Sequence, residues 1–318
     1  MPAAAQERVS VATMRSSANG ALFLAAARGY FKAEGITLDM TAYGSDADVV
    51  KAMASGASDF GLANWSVETV KLASGGAFKA VAAQLHEKDG YEGNEIVVSS
   101  IAYDRGVHKL DDVLSGIVVV DQVGSTLHYQ LEQARHAKGA NITGFTVKFA
   151  GSRAAAALAI SDRRADIAVL PMLEARNLLA TNQARLVAWC SQVAETELGA
   201  LFASRNMLAA RRGVAEKFIH AYRRGADDYF KAFLRLDKYS KRISNAQSLE
   251  AAKILAFYVY PRATLDTAMA NVEGEIHYMD ARAQIDTADL ARRLAWYHSE
   301  GMIDKTVDAR ALVDLSFK

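Results

Sequence analysis

Cysteine and proline are nearly missing from this 318-residue chain: Cys190 is its one cysteine, and Pro2, Pro171 and Pro261 are its only prolines. A single thiol excludes an intramolecular disulfide and any thiolate metal cluster. So few prolines suit a helix-rich chain with few rigid turns. No apolar run reaches the length of a membrane span; the longest, such as Ile117–Val120, are strand-sized. Charge of one sign is lacking too: 37 Lys and Arg face 36 Asp and Glu, a formal charge of +1. Nothing therefore draws the whole chain to nucleic acid or to an anionic membrane, and the expected partners are small or local. The seven histidines form no ligand-spaced set; His128 and His136 lie too far apart on one helix to share a metal, so neither metal nor cofactor is expected. The signatures G-x-S-x-G, Walker A, G-x-G-x-x-G and H-E-x-x-H are all absent.

What is present is a folding composition, 51% hydrophobic and 23% charged, enough for two domains or one large one. The start, Met1-Pro2-Ala3-Ala4-Ala5-Gln6-Glu7, has the small residues found around a signal-peptidase site. It is expected to open a mature exported, periplasmic protein, an Ala-rich cytosolic start being the alternative. Over the first 86 residues, strand and helix patterns alternate. Strands are expected at Arg8–Met14, Ile36–Tyr43, Phe60–Ala63 and Phe78–Leu85, with helices at Ala21–Phe31, Asp46–Ala54 and Val67–Ala73 between them. Gly35 and Gly56 fall where helices hand over to strands, as C-terminal caps do. A second unit of the same rhythm follows Ile96–Ser100. Residues Leu110–Leu114 lead into a strand at Ile117–Asp121, then a helix at Ser125–Lys138, a strand at Thr146–Ala150 and a helix at Ser152–Ser161. Strand Ile167–Leu170, a helix from Pro171 to Ala180 and strand Arg185–Cys190 complete it. From Arg205 the pattern is helical, at Ala215–Phe233, Ala246–Tyr258, Leu265–Met269 and Thr287–Gly301. Alternation of this kind predicts mainly parallel sheets, and no Pro- or Gly/Ser-rich linker separates the parts.

Several strings, in order, carry a resemblance. They are Ala27-Arg28-Gly29-Tyr30-Phe31-Lys32-Ala33-Glu34-Gly35-Ile36, Ala52–Gly61, Leu114–Val120 leading to Gly124–His128, Ala165–Pro171, Leu201–Arg205, and the tail Gly301–Lys305 with Leu312–Asp314. Together they resemble the solute-binding proteins of the nitrate/sulfonate/taurine type, the NMT1/THI5-like family. The resemblance implies an α/β fold of the type II periplasmic-binding-protein kind: two α/β lobes, a ligand cleft between them, and closure on binding. It further implies a monomeric receptor that hands a small ligand to the membrane subunits of an ABC importer. Lobe one is expected at residues 1–98 and 199–318, and lobe two at 99–198. The family's eukaryotic branch includes pyrimidine-precursor synthases with a cysteine-rich motif and a consumed histidine. This chain lacks that motif; His86 keeps the enzyme alternative open.

In open α/β sheets, ligands meet the residues that follow the strands. Lobe one then offers Arg15, Ser16 and Asn19 after the first strand, Tyr43 after the second, Asn64 and Trp65 after the third, and His86 after the fourth. Lobe two offers Gly124, Ser125 and Thr126, then Ser152 and Arg153, then Pro171 and Met172. A glycine followed by hydroxyls at a helix start can present N–H groups and a favourable dipole to an anion, or serve as a plain N-cap. Arg15 can fork a sulfonate or carboxylate, with Arg153 as a second cation, or stand in solvent. Trp65, Tyr43 and His86 would form an aromatic wall, or Trp65 would pack in the core. Cys190 reads as a buried small hydrophobe, and Glu174 as an acid favoured by the dipole of its own helix.

Overall fold

The computed structural model describes residues 6–110, 112, 115–137 and 144–317. In chain order the strands are β1 (Glu7–Met14), β2 (Ile36–Tyr43), β3 (Phe60–Asn64), β4 (Phe78–Ala83), β5 (His86–Glu87) and β6 (Glu95–Ser99). Then come β7 (Ser115–Val120), β8 (Gly144–Phe149), β9 (Ile167–Leu170), β10 (Ala184–Trp189), β11 (Thr196–Glu197) and β12 (Gly199–Ser204). Strands β6, β9 and β12 are buried along their whole length, as strands covered on both faces should be. Edge strand β2 alternates between buried and open positions. The Ala-rich start and most of the expected lead-in at Leu110–Leu114 fall outside the described residues.

The chain divides into two units, one made of the residues up to His86 and those from Glu197 onward, the other of Glu87–Thr196. In the first unit the sheet order is β2-β1-β3-β12-β4. Strands β1, β2 and β3 run parallel, while β12 is antiparallel to both of its neighbours. Helix Arg212–Phe233 packs on helix Gly20–Ala27. Gly225 permits this approach, because a Cβ there would lie 2.1 Å from the Ala21 carbonyl oxygen. The single helix expected at Ala21–Phe31 is two, Gly20–Ala27 and Tyr30–Ala33. Gly29 separates them with φ +72°, a left-handed turn that glycine adopts without a Cβ clash.

In the second unit the order is β10-β6-β9-β7-β8, with β7, β8 and β9 parallel and β6 antiparallel to β9 and β10. Each sheet is therefore mainly parallel with one antiparallel member, and that member is the first long strand after the chain enters the unit. This corrects the expected boundary near residue 98. Glu95–Ser99 pairs on both sides inside the second sheet, so the chain enters that unit at His86/Glu87. Its return, at Thr196/Glu197, lies two residues before the expected position. Strand β12 is the element the sequence reading missed: Leu201–Ser204 reads as the approach to a helix, but its unbroken burial belongs to a central strand.

Candidate functional site

In the first unit the residues that follow β1 divide by burial. Asn19 is fully buried. Its amide donates to Thr13 Oγ1 at 2.7 Å and to the Met14 carbonyl at 2.9 Å, and it accepts from Gln84 Nε2 at 2.6 Å. Asn19 thus ties the end of β1 to the chain beyond β4 and presents no free edge to a ligand. Ser16 caps a short 3-10 turn. Arg15 is exposed and donates one Nη1 hydrogen bond to the Tyr258 carbonyl at 3.0 Å. Beside it, Ser17 Oγ donates to Glu275 Oε2 at 2.7 Å, and the Tyr260 hydroxyl donates to the other oxygen of the same carboxylate. Glu275 and Tyr260 come from the C-terminal helical part, and no strand-end argument points to them.

Tyr43 is half-buried at the end of β2, and Asn64 is half-buried at the end of β3. The Asn64 backbone N–H donates to Asp46 Oδ1 at 3.0 Å. Trp65 is wholly buried, edge-on to Phe202 with centroids 5.0 Å apart. Of its two readings the structure gives core packing, which removes it from an aromatic wall. His86 Nε2 lies 2.5 Å from Glu197 Oε2, which also accepts the Asp286 N–H at 2.9 Å. Burial pushes the imidazole down, but the Glu197 carboxylate, with Asp280 and Asp286 further off, outweighs it and raises the His86 pKa.

In the second unit helix Thr126–Ala137 begins one residue after the expected cap. Its anion-binding capacity is largely spent on the protein itself. The Gly124 N–H donates to His128 Nδ1 at 3.0 Å. Ser125 Oγ accepts from the His128 N–H at 3.1 Å and donates to the buried carboxylate of Asp121. A carboxylate at that position repels a ligand anion at close range, and Ser125 acts as the N-cap of this helix. Thr126 is buried beside them. Burial lowers the His128 pKa despite Glu132 and Asp121, which matches a ring nitrogen that accepts. Ser152 caps helix Arg153–Ser161 through the Ala155 N–H at 3.1 Å, and Arg153 is half-buried. Pro171 opens helix Met172–Ala180 and is half-buried, while Met172 is fully buried, which removes it from the expected ligand contacts.

Cys190 is buried, and burial, reinforced by Glu87 and Glu95, pushes its thiol well up, away from nucleophilic thiolate. On β6, burial raises Glu95 to about 7, against the pull of Arg176 and with a push from Glu92. Among the described residues, no group of three or more His, Cys, Asp or Glu is placed to hold a metal ion. None of the described helices is long and apolar enough to cross a membrane.

Residues 17–232 match the family described as NMT1/THI5 like. No curated protein matches the sequence. Among solved structures, the chain is similar to a zinc-bound ligand-binding component of an ABC-type import system from Staphylococcus aureus, with TM-score 0.72, 14% identity and 98% of both chains covered. It is also similar to the alkanesulfonate-binding protein SsuA from Xanthomonas axonopodis bound to MOPS, with TM-score 0.70, 16% identity and coverage of 99% and 100%. The desulfurization enzyme DszB shares the fold at TM-score 0.60 and 12% identity, over 98% of this chain and 97% of that one. These likenesses establish a periplasmic-binding-protein fold.

Proposed function

The chain belongs to the NMT1/THI5-like family, and from that premise we propose that it is the solute-binding component of an ABC importer. It works in the periplasm, takes a small organic acid of sulfonate or carboxylate type, and does no chemistry on it. The observation that carries this reading is the family match, which spans residues of both units. The import component and the alkanesulfonate-binding protein, both similar over nearly their whole length, support it. For the acid group the support is Arg15, exposed at the carboxyl end of β1, where open α/β sheets take ligands. In the first unit Ser16, Tyr43 and Asn64, each half-buried after a strand, are the further ligand-facing residues of the proposal; in the second unit the strand-end candidates are Ser152, which is exposed, and Arg153, which is half-buried. A receptor rather than an enzyme is supported by Cys190, whose buried thiol is held well away from the nucleophilic thiolate form.

A thermal-shift screen against alkane and aromatic sulfonates and carboxylates tests the proposal. A compound that binds only the folded chain stabilises it by about 2.7 kcal/mol at a hundredfold excess over Kd. Some member of the panel should raise Tm; a flat response across all of them rejects the organic-acid reading.

A further inference from the structure

A groove lies within the second unit alone, on the sheet face beside edge strand β8. Helix Arg153–Ser161 packs on β9, β7 and β6. The groove lies on its β8 side, with Ile117 and Val119 of β7 and Ala150 lining it. The helix turns small side chains toward it, Ala155 and Ala159, one turn apart on the same face. Larger residues at these two positions would close the gap; alanines leave a groove of about 600 Å³, within the range that holds a small organic molecule.

Its edge is basic. Lys148, Arg163 and Arg164 line it, all three exposed, while the neighbouring Phe149 ring turns to the other sheet face, edge-on to His128 at 4.9 Å. Two acids stand near: Asp162 pairs with Arg164 at 3.0 Å, and Asp166 accepts the Ile117 N–H at 2.9 Å. Both are engaged, and the cations outnumber them. Arg163 follows the helix with φ +60°, a left-handed C-terminal turn in which the Arg164 N–H donates to the Ala159 carbonyl at 2.8 Å; glycine adopts that conformation far more cheaply.

We propose that this groove is a second binding site, for an organic monoanion with a flat or chain-like apolar body, such as an arylsulfonate or a medium-chain carboxylate. The apolar body lies on Ile117, Val119 and the alanines, and the acid group meets Arg163 and Lys148. The site differs from the strand-end residues of the proposed solute receptor and does not depend on that reading.

The test uses 8-anilinonaphthalene-1-sulfonate by fluorescence and decanoate by calorimetry, on the full chain. Saturable binding that persists in Arg15→Ala is expected for both, weakening as salt rises. Arg163→Gly relieves the backbone strain and so leaves folding intact; it should weaken both probes roughly 10-fold, the loss of one charge-assisted contact. Lys148→Gln should weaken them by a smaller factor, and Ala155→Phe, which fills the groove, should abolish binding. If Ala155→Phe does not fold, the two charge variants decide. Affinities unchanged in Arg163→Gly and Lys148→Gln, or no saturable binding of either probe to the parent chain, overturn the proposal.

Discussion

The two units lay out the same sheet twice and finish it differently. In each, three parallel strands are followed by an antiparallel one brought in as the chain enters the unit, and then by an outer strand. The first unit fills around this frame with large rings. Trp65 and Phe78 both pack edge-on to Phe202, and Phe60 stacks on Phe218 at 3.9 Å. The second unit fills mainly with aliphatic residues; among the described residues its two apolar clusters hold no buried aromatic ring, and Tyr129 is buried outside them. The lesson is that one topology tolerates two packing solutions. A ring-filled interior draws aromatic residues away from the strand ends, whereas an alanine-walled one leaves space beside its own edge.

The comparison breaks most sharply at Trp65. As a core residue, Trp65→Ala should cost about 3–5 kcal/mol of stability, read as a lower denaturation midpoint. A variant that melts like the parent but fails to bind solute would restore Trp65 to the ligand wall.

Arg15→Ala comes next. Losing a charge-assisted contact to the acid group should weaken solute binding by about 1.5–3 kcal/mol, roughly 10- to 150-fold, by calorimetric titration. Arg15→Lys should recover only part of it, because a point charge cannot reproduce a bidentate fork. A shift under about 0.5 kcal/mol places Arg15 in solvent.

A pH experiment separates the units by cause. The Glu95 carboxyl rises from 4.5 to about 7 in the folded second unit, chiefly through burial. Between those values the native chain keeps a proton that the unfolded chain has lost, so stability falls as pH rises through that window. In the first unit, His86 is raised above 6.5. Its contribution is complete below that value and is lost as pH climbs through the folded pKa. Both groups make the protein less stable at pH 8 than at pH 5. Glu95→Gln should gain on the order of 1–3 kcal/mol at pH 8 and little at pH 5; equal melting curves at pH 8 would show that Glu95 ionises freely in the fold.

The smallest effect belongs to Ser125→Ala. As a cap it should cost about 1 kcal/mol of stability and leave solute affinity near the parent value. A clear loss of affinity at unchanged stability would return the anion site to the second unit.

Strands and helices were largely legible because periodicity reports burial directly, and Ile36–Tyr43, Asp46–Ala54 and Ile167–Leu170 stand where their patterns put them. Strand β12 was hidden because Gly199–Ser204 is buried on both faces and shows no alternation. The first boundary was misplaced because nothing local tells Glu95–Ser99 which sheet it will join. Strand ends point to the loops that follow them but not to the competing hydrogen bonds within those loops. The Asp121 carboxylate that occupies Ser125 lies four residues away, and the Glu275 that holds Ser17 lies 258 residues away. Such partners are set by packing, to which a single sequence gives no periodic clue.

The central claim, capture without chemistry, is tested most directly by titrating the best compound of the sulfonate and carboxylate panel into the purified chain and recovering that compound afterwards for mass measurement. The account predicts saturable binding that Arg15→Ala weakens, and recovery of the compound with its mass unchanged. Recovery of a converted product would contradict it and place the chain with the enzymes of this fold.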